Sequence, residues 1–270
     1  MKNINRKLYS STIEGTLTTE QYNKEILRSL KNVKNCNHKV GFEFEFYIKK
    51  KELKKFHKKI ESILPETTQL LVQINQDLNS NNVTWVLTRD SSIKQKRDYL
   101  SLELISPILD FKLGYYYLKK ILKILQKYKT TKETGLHIHI SSRKEINVDP
   151  IQIIHNTKKM SKWAPRRYTR SFYELLSYCK KDQYILFDKT IRKCYQVNFN
   201  LFDKYANIEY RAIGGKNYQF KIDKIIQDYN LLSDIYSKEY EMVFGSKKIN
   251  KTKNNLIEFK KNLKYDQIII

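Results

Sequence analysis

The sequence predicts an α+β fold in which helices cover one face of a largely antiparallel sheet and leave the other face open. Three observations predict it. Five segments alternate between apolar and polar residues, the period of a strand with one buried face. Between them lie segments with apolar residues at helical spacing. The 270 residues contain no internal repeat and no stretch resembling a flexible linker, so one main domain is expected.

The elements follow in order. Residues 1–18 are polar, and residues 1–37 form an N-terminal polar segment and helix. Thr19 caps that helix, whose face carries Tyr22, Ile26, Leu30 and Val33. A strand is expected over Lys39–Ile48, then a Lys-rich helix from Lys51 to Leu64 that stops before Pro65. Leu70, Leu71, Ile74 and Leu78 read as a further short helix, and Asn79–Asn82 as a turn. Strands follow at Val83–Asp90 and Tyr99–Ile105, joined by the polar Ser91–Arg97. Leu113, Tyr117, Leu118, Ile121 and Leu125 mark a helix, and Gly135–Ser141 a strand. A helical stretch runs from Asp149-Pro150 towards Cys179, interrupted near Pro165. Two more strands, Tyr195–Leu201 and Asn207–Ile213, precede Gly214-Gly215 and a long helix over Asn217–Phe244. The main domain spans residues 38–247, and residues 248–270 form a Lys/Asn-rich tail.

Composition bounds the function classes. The chain carries 52 basic and 28 acidic residues, a net charge of +24. One reading is a polyanion partner such as nucleic acid. The other is genomic: 42 Lys against 10 Arg, with 21 Asn and 31 Ile, fits the codons of an AT-rich virus, plasmid or organelle. Lysine runs such as Lys49-Lys50-Lys51 then read as solvated faces. Cys36, Cys179 and Cys194 form neither a disulfide framework nor a cysteine metal site, which suits a reducing, cytoplasmic compartment. No stretch approaches the ~18 apolar residues of a membrane span, and Met1–Gly15 lacks the apolar core of a signal peptide, so no membrane partner is expected.

The polar strand faces carry the chemistry. Phe42, Phe44 and Phe46 oppose Glu43 and Glu45; Leu100, Leu102 and Leu104 oppose Ser101 and Glu103. Leu136, Ile138 and Ile140 oppose His137 and His139. Tyr195, Val197, Phe199 and Leu201 oppose Gln196, Asn198 and Asn200, and Ile208, Tyr210 and Ala212 oppose Glu209 and Arg211. A merely wetted face would carry lysine, which makes up more than half of the charged residues, yet these positions hold none. Glutamates two apart on a strand are roughly 7 Å apart at their backbones. Such a pair repels by about 2 kcal/mol at an effective dielectric of 20. Several on one face would raise each other's pKa or recruit a hard divalent cation. His137-x-His139 alone suits either zinc or two structural histidines.

These residues carry a resemblance. Gly41-Phe-Glu-Phe-Glu45, Thr88-Arg-Asp-Ser-Ser-Ile93, Leu102-Glu-Leu-Ile-Ser-Pro107, Gly135-Leu-His-Ile-His-Ile-Ser141 and Ile208-Glu-Tyr-Arg211 occur in that order. Together they resemble the amidoligase family, a branch of the glutamine synthetase-like carboxylate–amine ligases. The resemblance implies a curved, largely antiparallel sheet and an ATP-dependent ligase working through an acyl phosphate. It implies two or more Mg²⁺ ions, with Mn²⁺ as a substitute, on Glu43, Glu45, Glu103, His137 and Glu209. His139 and Arg211 would meet the nucleotide phosphates and act in catalysis with Glu209, and Asn198 joins them on the nucleotide side. Asp90 would lie near the site or touch the amino-acid substrate. Arg166, Arg167 and Arg170 match a family arginine segment only loosely; they read as carboxylate binders or as a solvated helix. Gly214-Gly215-Lys216 departs from the Gly-Thr that often follows the arginine.

The expected partners are an amino-acid or peptide carboxylate, an amine and ATP. The acid could equally be a cell-wall precursor, and the amine ammonia or an amino acid. The rivals are a basic nucleic-acid-binding protein and a metal-dependent hydrolase using His137 and His139. No Gly-rich Walker loop is present, which argues against a P-loop kinase.

Overall fold

The computed structural model describes residues 19–34, 36–65, 70–73, 84–141 and 207–244, together with 68, 153, 156–157, 160, 163 and 197–198. The expected helix beyond Asp149, most of the 195–201 strand and both terminal segments lie outside the described residues.

Eight strands form one sheet in the order β2-β3-β4-β1-β6-β8-β7, with β5 beside β1. They are β1 Lys39–Lys49, β2 Leu70–Gln73, β3 Trp85–Arg89, β4 Tyr99–Ile105, β5 Leu109–Asp110, β6 Gly135–Ser141, β7 Val197–Asn198 and β8 Ile208–Gly214. Among the described residues, four helices accompany them: α1 Thr19–Ser29, α2 Leu53–Glu61, α3 Phe111–Leu125 and α4 Ile222–Phe244. The sheet is mixed. Its β2–β3 pair is parallel, matching Leu70 to Trp85 and Gln73 to Thr88. The expected short helix at Leu70–Leu78 is therefore wrong over Leu70–Gln73. A four-residue apolar run has too little length for its period to separate helix from strand, and pairing with β3 decides it.

The alternation places the core. Phe42, Phe44 and Phe46 are all buried, as are Leu102, Leu104, Leu136, Ile138, Ile140, Val197, Ile208 and Tyr210. The helices pack on this side. Phe46 meets Phe56 of α2 at 4.9 Å between ring centroids, and Phe42 meets Tyr229 of α4 at 5.9 Å. Tyr229 stacks on Phe111 of α3 at 4.3 Å, and its hydroxyl donates to the Phe111 carbonyl at 2.6 Å. Among the described residues, no helix is long and apolar enough to cross a membrane.

The chain turns sharply before α4. Gly215 and Asn217 both have positive φ, which ends β8 and starts a short 3₁₀ turn at Tyr218–Phe220. The expected helix from Asn217 therefore begins later, at Ile222. That turn puts the Tyr218 hydroxyl on the Glu45 carbonyl at 3.1 Å.

One contact sets how close α3 lies to the sheet. A Cβ on Gly114 would fall 2.3 Å from Val40 Cγ2 and 2.8 Å from the Tyr229 hydroxyl. Val40 is branched and buried, so it has little room to yield. Gly114→Ala should therefore destabilise the chain by about 1–3 kcal/mol, although alanine favours helix. Thermal unfolding checks this: the variant should melt lower by roughly 2–4 °C per kcal/mol, and an unchanged midpoint would refute the tight contact.

Candidate metal centre

Five adjacent strands assemble one polar row. Glu103 of β4 stands directly opposite Glu45 of β1. Across β1, Glu43 pairs with His137 of β6. His139 pairs with Glu209 of β8, and Glu209 with Asn198 of β7. Asp90, just after β3, joins the Glu45–Glu103 end. Like charges set directly across a strand pair are destabilising, so the Glu45–Glu103 pairing needs a compensating partner.

The row contains an irregularity that shifts the alternation. Ile138 pairs with Tyr210 and Leu136 with Ile213, so Arg211 and Ala212 together face His137 alone. This bulge puts Ile213, rather than the expected Ala212, in phase with the apolar face. It also places Arg211 at a point where a bulge re-aims the side chain.

The imidazoles lie between carboxylates. His137 Nδ1 is 2.7 Å from Glu43 Oε2 and 3.2 Å from Glu209 Oε1, while Nε2 is 3.4 Å from Glu45 Oε1. His139 Nε2 is 3.0 Å from Glu43 Oε1, and Nδ1 is 3.4 Å from Asn207 Oδ1. Both His139 nitrogens thus face oxygen acceptors, which only the doubly protonated ring satisfies as donors. Glu45 Oε2 accepts the Gly135 N–H at 2.7 Å. Glu209 accepts from the Asn198 amide at 2.7 Å and from Arg211 Nη1. Asp90 Oδ1 accepts the Ser92 N–H at 2.8 Å.

The charges show what the row lacks. Burial and then the charges of Glu43, Asp90 and Glu45 push the Glu103 carboxyl well above the usual range. Burial would raise Glu43 also, but the His137 and His139 hydrogen bonds outweigh it and hold Glu43 well below that range. For His139, burial is outweighed by the hydrogen bond and charge of Glu43, and its pKa rises to about 9. Protons and imidazoles stand where cations would be most favourable.

Among the described residues, three groups have ligand atoms within 4.8 Å of one another: Glu43, His139 and Glu209; Glu43, Glu103 and His137; Glu45, Asp90 and Glu103. Glu43 and Glu103 are each shared by two groups. At 4.8 Å and an effective dielectric near 20, two carboxylate charges repel by about 3.5 kcal/mol. The structure thus brings together Glu43, Glu45, Asp90, Glu103, His137, His139, Asn198, Glu209 and Arg211. Arg166, Arg167 and Arg170 lie outside the described residues. Sequence reading missed Asn207, Tyr218 and the Gly135 N–H. Gly135 carried a signal, because it opens the motif strand that holds both histidines.

Residues 36–157 match the family described as "Putative amidoligase enzyme". This is the family that the motifs resemble. The amidoligase match includes Glu43, Glu45, Asp90, Glu103, His137 and His139, and ends before Asn198, Glu209 and Arg211. No curated protein matches the chain. A solved structure of Plasmodium falciparum glutamine synthetase is similar at 12% identity and a TM-score of 0.34. That alignment covers 82% of this chain and 57% of the synthetase chain.

The Glu103 carboxyl makes a two-sided prediction. Its raised pKa means that, above the ordinary glutamate value, the folded state holds a proton that the unfolded state has released. Stability is therefore lost as pH rises through the ordinary glutamate range. Glu103→Gln removes that penalty. In chelator at pH 7.5 it should raise the melting temperature by roughly 2–4 °C, the shift about 1 kcal/mol gives at this size. The same variant should lose the rise in melting temperature that Mg²⁺ or Mn²⁺ gives the parent chain. Cation binding to the parent should release protons and strengthen with pH up to about 9, where His139 loses its own. Calorimetry in buffers of different ionisation enthalpy checks it; binding independent of pH would exclude these ligands.

Proposed function

We propose that the protein is an ATP- and Mg²⁺-dependent carboxylate–amine ligase that acts through an acyl phosphate. The observation carrying this reading is the set of three carboxylate-rich groups on one sheet face, linked through Glu43 and Glu103. The amidoligase match over residues 36–157 supports it. The donor set suits a hard divalent ion, since carboxylate oxygens dominate, imidazole appears in two groups and thiolate in none.

When bound, Mg²⁺ (or Mn²⁺) polarises the terminal phosphoryl group of ATP and neutralises its oxygens. Glu43, Glu103 and His137 would hold one ion, and Glu45, Asp90 and Glu103 another. Glu209 would hold charge on the β8 side, kept in place by the Asn198 amide. Arg211 and His139 would donate to phosphate oxygens, where charge develops during transfer. The substrate carboxylate oxygen forms a bond to the γ-phosphorus as the bond to ADP breaks. The amine nitrogen then bonds to the acyl carbon, inorganic phosphate leaves, and the nitrogen gives up a proton. Positioning two anionic reactants beside each other is the chain's main task. A hydrolase built on His137 and His139 would need no nucleotide, so ATP dependence separates the two.

Incubation with Mg-ATP, pooled amino acids and short peptides should give products lighter by one water than their summed reactants. One ADP should form per product, and mass spectrometry reads both. Glu43→Gln and Arg211→Ala should each lower ADP formation by about 10²-fold or more, with circular dichroism unchanged. Undiminished ADP formation in both would remove these residues from the reaction.

A further inference from the structure

Lysine is abundant throughout the chain, but the helices do not share it evenly. Helix α4 carries two lysines against five acids, and α1 carries Lys24 and Arg28 against Glu20 and Glu25. The other two helices reverse this balance. Residues 49–59, through the end of β1 and most of α2, hold seven lysines and one acid, Glu52. Residues 111–129, which contain α3, hold six lysines and no acid. All four helices share one codon usage, so an AT-rich genome does not explain the difference. Helix stability does not explain it either. The first turn of α2 carries Lys54 and Lys55 and no acid, against the preference of a helix N-terminus for anions.

The two segments make one surface. Phe56 of α2 meets Tyr128, just after α3, edge to face at 5.1 Å. Lys59 stands beside Lys127, and burial with the charges of Lys127 and Lys55 lowers its ammonium pKa. Lys119, Lys123 and Lys127 recur every four residues, a row about 12 Å long. Lys55 and Lys59 repeat that spacing on α2. Among the described residues, no lysine of either segment is in an ion pair. The neighbouring acid Glu61 is taken by His57 at 3.2 Å. Like charges gathered without counter-charges repel, and a bound anion relieves that repulsion.

The surface also selects the kind of anion. Exposed large apolar side chains among the described residues are Val72, Ile108 and Phe220, none of them on α2 or α3. A lipid bilayer would find no apolar wedge there. Unpaired bases would find no open ring, because Tyr116 and Tyr117 are buried and Lys119 Nζ lies over Tyr115 at 5.3 Å. Lysine ammonium groups are point charges that meet phosphate without reading sequence. Both helices pack on the apolar face of the sheet, so a polyanion laid on them does not meet Glu43, Glu45 or Glu103. We propose that the α2–α3 face binds the phosphate backbone of double-stranded nucleic acid, without sequence preference, through Lys55, Lys59, Lys123 and Lys127. The ligase reading is independent of this surface.

The test uses the full chain in chelator and a fluorescent DNA duplex of about 20 base pairs, with binding read by anisotropy. Between about 50 and 200 mM salt the affinity should fall about 10²-fold, the slope of roughly four phosphate contacts. In the combined variant Lys55→Gln, Lys59→Gln, Lys127→Gln that slope should drop by about three, one for each contact. Arginine at the same three positions should keep it. The control variant Lys34→Gln, Lys39→Gln, Lys224→Gln loses the same net charge and should also keep it. Its lysines are already engaged by Asp234, Asp110 and the Trp163 ring. Absent binding at the lower salt, an affinity independent of salt, or equal losses in the two glutamine variants would overturn the proposal. So would tighter binding to phosphatidylserine vesicles than to the duplex, which would make the surface a membrane seat.

Discussion

A strand pair cannot choose which face its alternate residues share, and this constraint governs the molecule. Once Phe42, Phe44 and Phe46 are committed to the core, Glu43 and Glu45 must lie together on the other side. Pairing with β4 then sets Glu103 directly against Glu45. The pleat fixes the direction in which all three side chains leave the backbone, so side-chain rotation relieves the repulsion only in part. The opposite face has to supply the stability that this one lacks. It does so with stacked aromatic rings and with a helix brought close through Gly114.

Within the row, some carboxylates are pinned by backbone and amide donors and others are shared between groups. Glu45 is held by the Gly135 N–H through one oxygen, while the Tyr218 hydroxyl holds its backbone carbonyl. Glu209 is held by Asn198 and Arg211. Each has lost some of its freedom to turn, which is what a ligand residue needs before a cation arrives. Glu43 and Glu103 are shared: each belongs to two groups, and Glu43 is held through both oxygens by the His137 and His139 rings, at 2.7 and 3.0 Å. Carboxylates shared between neighbouring groups suit adjacent cations with common ligands.

What the sequence made legible follows from the same geometry. A period of two is a hard rule, so the faces of β1, β4 and β6 could be read without coordinates. The inversion of charge on those faces stood out because lysine is so abundant elsewhere. Departures from the period were not legible. The bulge at Arg211 and Ala212 obeys no composition rule, and it moved Ile213 into the place expected for Ala212. Leu70–Gln73 is too short for its pattern to decide, and a parallel neighbour decided it. Asn207 reaches His139 only because β8 pairs with β6, a contact 68 residues long in sequence. Tyr47 and Lys49 continue the alternation of β1, yet Tyr47 is buried and Lys49 is exposed surface.

That last point bears on how the charge of +24 should be understood. An AT-rich genome explains how many lysines there are, not where they stand. At physiological salt the screening length is about 8 Å, so most surface lysines exert almost no field on the polar row. Position therefore outweighs number. A nucleic-acid interface would spread contacts over many lysines and make binding fall steeply with salt. The acidity of the row opposes that arrangement on this face, because a long polyanion crossing it would meet Glu43, Glu45 and Glu103.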